Sequence, residues 1–409
     1  MKQQWLRERE LKELQNKMLR AIIIHAYRYV PFYKRKWRQV GIGPNDIKTS
    51  DDLEKLPIIT REELIKNYNQ LIALNYRHWY EIGRVIIRST TGTTGSQFKM
   101  IFDQRAWDYL EAVYLRALLA VGYDPKKPLA YYWYETFEIN THNRLGFMNK
   151  IYIPCNISEE EQLRILQKIN SEYIYYYSTI LYSIAKRMMH EKINLNPKVI
   201  ITHAEILSNK MREVIQKAFN APVFDEYGTT EFDRLAWECK ERQGYHIDAD
   251  SVILEALKEG EAVSSGEKGS VVLTGLKNFI LPLIRYEIGD TVIPTDETCA
   301  CGRVLPLIRS IEGRNEDLIV LNSGKVFTPK TIIDSVADIP EIYKFRISYL
   351  GKNRFLTDVV LFDETKRIQE NIEDRLQKLF KDNIKLEFKI TDEIKKSKRG
   401  KRKLFQNYR

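Results

Sequence analysis

Cysteine is scarce: four residues in a chain of 409 cannot build the disulfide framework that holds small secreted domains together. Long apolar runs are missing too. Even the stretch over 112–121 is interrupted by Arg116, so nothing approaches the roughly 20 apolar residues that a membrane-crossing helix needs. The opening residues, MKQQWLRERELKELQNK, are charged and helical in pattern, without the apolar block and small-residue cleavage site of a secretory signal. These absences predict a soluble, cytoplasmic protein with no membrane partner. No fixed-period repeat or low-complexity segment is present, which excludes solenoids and disordered arrays. The net charge of +10 is uneven and peaks over 395–403. Aromatic residues do not interleave with that basic run and no nucleic-acid motif accompanies it, so no nucleic-acid partner is expected. A basic balance also suits strongly anionic small substrates.

The length exceeds one ordinary domain, and 44% apolar residues can bury a large core plus a smaller one. The pattern begins with helices, a helical stripe over 5–29 and a capped helix start over 51–64 interrupted by Pro57. A strand over 84–88 then runs through a glycine-containing loop into a second short strand over 98–102, followed by a long helix from Arg105. Strand and helix patterns alternate to about 225, as in a layered α/β domain. Short β-runs separated by glycines follow over 251–254, 269–274, 283–286 and 291–293, which predict an antiparallel sheet or barrel. After Arg314 the order is βαββαβ, a compact α+β domain of its own. The expected fold is therefore α/β: a large layered domain over 1–315 with a β-rich subdomain over about 240–313, and a small domain over 316–409.

Three local patterns carry candidate chemistry. In Ser89-Thr90-Thr91-Gly92-Thr93-Thr94-Gly95, two glycines relax the backbone while closely spaced hydroxyls can cradle phosphate oxygens. The nucleotide-binding Gly-x-x-x-x-Gly-Lys spacing is absent, and a plain surface turn is the competing reading. In Asp225-Glu226-Tyr227-Gly228-Thr229-Thr230-Glu231, an aromatic ring able to stack on a base lies close to a carboxylate able to hold a hard cation. Its competing reading is a turn whose Thr and Glu are caps. In Arg285-Tyr286-Glu287-Ile288-Gly289-Asp290, a strand ends in Gly-Asp, and an acceptor-only carboxylate there can take both hydroxyls of a ribose. The alternative is an ordinary aspartate in a turn.

In this order, with Glu312-Gly313-Arg314 at the domain boundary and Lys398-Arg399-Gly400-Lys401 near the end, the patterns resemble the adenylate-forming superfamily of acyl-CoA synthetases, luciferases and peptide-synthetase adenylation domains. The chain is most similar to the phenylacetate-CoA ligase branch and its capsule-biosynthesis-type relatives, whose N-terminal signature the segments over 29–33, 41–47 and 53–60 resemble. The resemblance implies ATP- and Mg²⁺-dependent activation of a carboxylic acid as an acyl-adenylate, then thioester formation with coenzyme A. Transfer of AMP to a cofactor, as in deazaflavin-adenylating relatives, or of the acyl group to another acceptor, is the alternative. The loop Thr90 to Gly95 would bind the β- and γ-phosphates, Tyr227 would lie against adenine, and Thr230 would reach a phosphate or the activated carboxylate. Glu231 would hold Mg²⁺, Asp290 with Arg314 would bind the ribose, and Glu205 falls in a cofactor-binding stretch. Glu316 matches the hinge residue of the mobile small domain, and Lys401 the lysine that contacts the reacting carboxylate and the bridging phosphate oxygen. A homodimer is compatible with the resemblance.

The chain departs from that branch at Gln97, at His203, where the branch usually has glycine before Ala204-Glu205, and in the Arg-Gly-Lys of its terminal motif. The tyrosines over 131–134 and 173–177 read as β-core. Cys239 with His246, and Cys299 with Cys301, lie at the two ends of the expected β-subdomain. Three thiolates and an imidazole make a closed tetrahedral Zn²⁺ site; ordinary reduced cysteines are the alternative, since Cys-x-Cys is tighter than the usual knuckle.

Overall fold

The computed structural model describes residues 2–89, 98–134, 145–363 and 367–408. The chain groups into two compact units, one of Met1–Ala120 with Tyr227–Ile311 and one of Val121–Glu226 with Glu312–Arg409.

The first unit opens with the helix Glu8–Tyr29, whose buried Leu11, Leu19, Ile22, Ile23 and Ala26 share one face. The anticipated helix over 51–64 is two shorter pieces, a 3₁₀ turn Ser50–Lys55 and the helix Arg61–Lys66, because Pro57 cannot continue a helix and Thr60 starts a new one. The Thr60 hydroxyl accepts from the Glu63 amide at 3.3 Å, and the Glu63 carboxylate accepts from the Thr60 amide at 3.1 Å. The strands Ile86–Ser89 and Lys99–Phe102 pair antiparallel, with Ser89 opposite Lys99, and the helix Gln104–Ala120 follows.

The β-rich part of this unit is antiparallel, in the order Glu261–Ala262, Val252–Lys258, Gly269–Gly275, Tyr286–Thr295, Leu307–Arg314, Tyr245–Ile247, Asp233–Glu238. Here the structure corrects one expectation. The runs over 283–286 and 291–293 do not form separate strands; Tyr286–Thr295 is one continuous strand. Gly289 at φ 81° absorbs an irregularity inside it, so Asp290 stands mid-strand rather than at a strand end.

The second unit contains parallel strands in the order Lys150–Pro154, Leu129–Trp133, Tyr173–Tyr177, Val199–His203, Val223–Thr229. Every residue of Tyr173–Tyr177 and of Val199–His203 is buried, as expected of parallel strands covered on both faces. The helices Glu159–Ile169, Ser178–Glu191 and Asn209–Phe219 accompany them. The C-terminal sheet of this unit runs Lys385–Ile390, Arg354–Leu361, Ile342–Tyr349, Phe405–Asn407. Its last strand, which the basic tail concealed from pattern reading, pairs parallel with Ile342–Tyr349. The Tyr182 hydroxyl donates to Ala337 O at 2.6 Å and Lys186 Nζ to Ile339 O at 2.5 Å, tying helix Ser178–Glu191 to the C-terminal segment. Among the described residues no helix is long and apolar enough to cross a membrane.

Arg116, the residue that breaks the apolar run over 112–121, is buried at the hub of the first unit. Its guanidinium donates to Asp248 at 2.5 Å and to both oxygens of Asp250 at 2.8 and 2.9 Å. Asp248 also accepts from Arg234 Nε at 3.1 Å and from the Trp237 indole at 2.8 Å. Without the Asp248 carboxylate, buried Arg234 keeps only main-chain acceptors, Arg116 keeps Asp250 alone and the Trp237 indole loses its acceptor, which costs roughly 3 kcal/mol. Asp248→Ala should therefore lower the unfolding free energy measured in urea by about that amount; a change below about 1 kcal/mol would show the cluster to be dispensable.

Candidate functional site

Ser89 ends its strand, while Thr90, Thr91, Gly92, Thr93, Thr94, Gly95 and Gln97 lie outside the described residues. Asp225, Glu226 and Tyr227 follow one another on the strand Val223–Thr229. At Gly228 a Cβ would lie 2.4 Å from Asp233 O, so only glycine lets the chain turn back there. The turn is closed by the Phe232 amide donating to Thr229 Oγ1 at 3.2 Å. It leaves Thr230 half-buried and Glu231 buried.

The Tyr227 hydroxyl donates to Asp290 Oδ2 at 2.7 Å, so the two side chains hold each other in place. Glu231, 8% exposed, pairs with Arg61 Nη1 at 3.2 Å. That arginine opens the helix Arg61–Lys66, and nothing in the linear pattern singled it out, because its partner is 170 residues away.

In the second unit, Asp225 accepts from the Thr202 hydroxyl at 2.6 Å and Glu226 from the Tyr175 hydroxyl at 2.8 Å. Both carboxylates are buried among the parallel strands. Arg314 is the exposed last residue of its strand, and Gly313 before it has φ 111° with room for a Cβ only 3.1 Å from Ile206.

Lys401 sits on a tight turn. The Gly400 amide donates to Ser397 O at 2.9 Å and the Ser397 amide to Lys401 O at 2.8 Å. Gly400 has φ 78°, and a Cβ there would lie 2.5 Å from both the Tyr132 hydroxyl and Cys155 Cβ, so the glycine is required on two counts. Tyr132 donates to Gly400 O at 3.0 Å. Lys401 Nζ then donates to Ala204 O at 3.0 Å, immediately after the strand Val199–His203. Ala204 itself has φ 67°, a left-handed conformation that costs a non-glycine residue energy and persists where its surroundings enforce it.

The neighbour of that lysine, Arg402, is 2% exposed and was hidden in the basic run as one more solvated cation. Its guanidinium donates to Glu159, to Ser183 Oγ at 2.7 Å and to Ile394 O at 3.2 Å. Its amide donates to Glu205 Oε1 at 2.8 Å. Glu205 also accepts from Thr179 Oγ1 at 2.5 Å, and burial pushes its carboxyl pKa up despite that bond and the nearby Lys401. Burial acts the same way on Glu159, but Arg402, Lys344 and Lys396 outweigh it and hold its carboxyl at about 2.

The four residues proposed from spacing as metal ligands meet in the first unit. Cys239, His246, Cys299 and Cys301 bring their donor atoms within 4.8 Å of one another. Cys239 Sγ and Cys299 Sγ are 3.5 Å apart, and Cys301 Sγ and His246 Nε2 are 3.3 Å apart. A tetrahedron of ligands at roughly 2.0–2.3 Å from a central ion has edges of about 3.5 Å, so the cluster fits around one cation. Burial holds His246 neutral, with its pKa down at about 4, and it pushes the Cys299 thiol up to about 12. Burial acts the same way on Cys301, but hydrogen bonds from Arg303 and its cysteine neighbours outweigh it and lower that thiol, and a cation bound here would displace the thiol protons.

No family model matches the chain. It is 26% identical to the phenylacetate-coenzyme A ligase of Thermus thermophilus, over 93% of this chain and 92% of that protein. It is 25% identical to Protein CapK of Staphylococcus aureus, over 76% of this chain and 69% of that protein. A crystal structure of 2-hydroxyisobutyryl-CoA ligase in the postadenylation state matches it with a TM-score of 0.84 at 17% identity, covering 100% of this chain and 92% of that one. The chain has the fold of the adenylate-forming acyl-CoA ligases. In sequence it is similar to phenylacetate-CoA ligase over 93% of its length and to CapK over 76%.

The Glu159 cluster gives a pH dependence whose sign follows from the shift. A carboxyl lowered from 4.5 to about 2 contributes stability that is fully present above pH about 4.5 and lost as the pH falls toward about 2. Glu159→Gln should cost about 3 kcal/mol at neutral pH, and the difference from the parent should shrink in acid. Denaturation at pH 7 and pH 3 measures it; equal losses at both would show that the pairing with Arg402 is not the source.

Proposed function

We propose that the chain is an AMP-forming acid–thiol ligase: with ATP and Mg²⁺ it activates a carboxylic acid as an acyl-adenylate, releases pyrophosphate and passes the acyl group to coenzyme A. The observation that carries this reading is the placement of Lys401. Its ammonium is delivered to the carbonyl of Ala204 at the carboxyl end of a parallel strand, the edge at which open α/β sheets bind ligands. A carboxylate attacking the α-phosphorus brings two anions together, so a point cation at that position offsets the charge that builds up in the transition state. Tyr227 and Asp290 supply a base-and-ribose pair already locked together, and the loop from Ser89 to Gly95 is assigned the phosphates by resemblance.

Glu231 with Thr230 offers oxygen donors of the kind Mg²⁺ takes, and the ion would neutralise phosphate charge there. Arg61 holds the Glu231 carboxylate, and it would yield to the metal or turn to a phosphate oxygen. The segment over 316–409 is assigned as a mobile domain that carries Lys401 away before thiol attack, with Glu316 at its hinge. Curated relatives named for coenzyme A support that thiol as acceptor. Cys239, His246, Cys299 and Cys301 are assigned a structural Zn²⁺. With all four positions filled by protein it would stabilise the fold and take no part in the reaction. We place the enzyme in the cytoplasm, where ATP and coenzyme A are available.

Pyrophosphate exchange into ATP, measured over aryl, fatty and amino acids with and without coenzyme A, tests the reaction. Exchange that depends on one acid supports adenylation, and AMP release that depends on coenzyme A supports the thioester step. AMP appearing on a cofactor instead would favour the adenylyltransferase alternative. Lys401→Ala should slow exchange by about 10²–10³-fold while ATP binding survives; exchange at the parental rate would remove the lysine from the reaction. Metal analysis should find about one zinc per chain, lost together with thermal stability in Cys301→Ser. A well-folded, metal-free parent protein would sink the metal assignment.

A further inference from the structure

His203 is a buried polar side chain to which the proposed reaction gives no task. It is 6% exposed, and its Nε2 is buried without a hydrogen-bond partner among the described residues. Four aromatic rings of the second unit surround it. Tyr175 lies 4.0 Å away between ring centroids and Tyr177 4.9 Å away. Trp133 stacks on it at 5.5 Å with planes 15° apart, and Tyr131 stacks on Tyr175 at 4.8 Å. A polar atom sealed among rings costs free energy unless something comes to satisfy it. A histidine kept only to fill the core would be replaced without loss by an aromatic hydrocarbon ring.

The position of the ring says where the satisfying group would come from. His203 directly precedes Ala204, whose carbonyl holds Lys401, so it adjoins the centre at which the carboxylate would react. Burial first, and then the charges of Lys401 and Lys150, push its pKa well below the usual range. The imidazole is therefore neutral, with one ring nitrogen a donor and the other an acceptor.

We infer that His203 reads the acid substrate, and that this acid is a hydroxyaryl acid whose hydroxyl hydrogen-bonds to His203 Nε2. The inference deepens the proposed adenylation and rests on it for the location of the acid. A hydroxyl both donates and accepts, so it satisfies Nε2 in either tautomer, which a carbonyl or an ammonium cannot do. The flat aromatic walls suit a planar ring. An ammonium-bearing amino acid is disfavoured, because Lys150 lies over the Tyr131 ring at 4.7 Å and Lys401 over Tyr177 at 5.8 Å.

Matched acids test this: 3- and 4-hydroxybenzoate against benzoate, and 3- and 4-hydroxyphenylacetate against phenylacetate. The parent protein should favour at least one hydroxylated acid in pyrophosphate exchange by tenfold or more, since a site built to bond a hydroxyl rejects the analogue lacking it by up to about 10⁴. His203→Phe keeps the ring and removes both nitrogens; it should erase the preference, and His203→Gln should restore part of it. A preference that persists in His203→Phe, or none in the parent, overturns the inference. The ¹⁵N signal of His203 Nε2, followed in the parent on titration with the same acids and no ATP, reads binding without reaction and does not depend on the variants folding. If that signal moves only with hydroxylated acids while no acid supports exchange, the adenylation reading fails and the His203 site stands. If exchange occurs and the signal stays still, the His203 site falls and adenylation stands. If neither responds, both fall.

Discussion

A buried ion pair between Arg402 and Glu159 underlies the placement of the candidate reacting centre. Taking a guanidinium and a carboxylate out of water is expensive and is recovered only where the remaining donors and acceptors are also met. They are met here: Ser183, Ile394 O and Lys344 complete the shell. The Arg402 amide is bound by Glu205, so backbone and side chain of one residue are both held. The residue before it, Lys401, can then reach Ala204 with little freedom left to lose. The backbone of a long, flexible lysine is thus fixed by its neighbour's burial.

The first unit solves a similar problem with Asp248. One carboxylate gathers two arginines and a tryptophan, and that same Trp237 lies 5.1 Å from the ring of His246 in the cysteine cluster. The β-rich region thereby has two rigid points, a charge hub and a group of four donor atoms. Tyr227 and Asp290 are joined to each other within the same unit. Pre-positioned side chains of this kind spare a bound ligand the entropy of ordering them.

Several elements were legible because their cause is local. Thr60 and Glu63 form a capping box from residues three apart, and Pro57 ends the preceding turn. The all-buried strand Tyr173–Tyr177 read as core from composition. The four donors of the cysteine cluster could be grouped because so few cysteines leave few combinations. Other features were hidden because their cause is distant. Gly289-Asp290 resembles a strand end, yet it is a bulge, and pairing with the strand Gly269–Gly275 resumes on its far side. The terminal basic run resembles a solvated tail, yet it turns on Gly400 and returns as the edge strand Phe405–Asn407.

Glycine, proline and capping residues act through their own backbone, and motif order survives in one dimension. The chain alone was therefore enough for the α/β class and the resemblance that points to Lys401, Asp290 and Glu231, while the expected βαββαβ close lacked the strands Val326–Phe327 and Phe405–Asn407. Which charges are buried was decided only by tertiary structure. Arg402 differs from Arg399, and Arg116 from the other arginines of its helix region, by the company that folding brings: Glu159 from 243 residues away, Asp248 from 132. His203 is the same case. A lone histidine after a strand carries no message in sequence, and it becomes a candidate only when four rings close round it and leave one nitrogen unanswered.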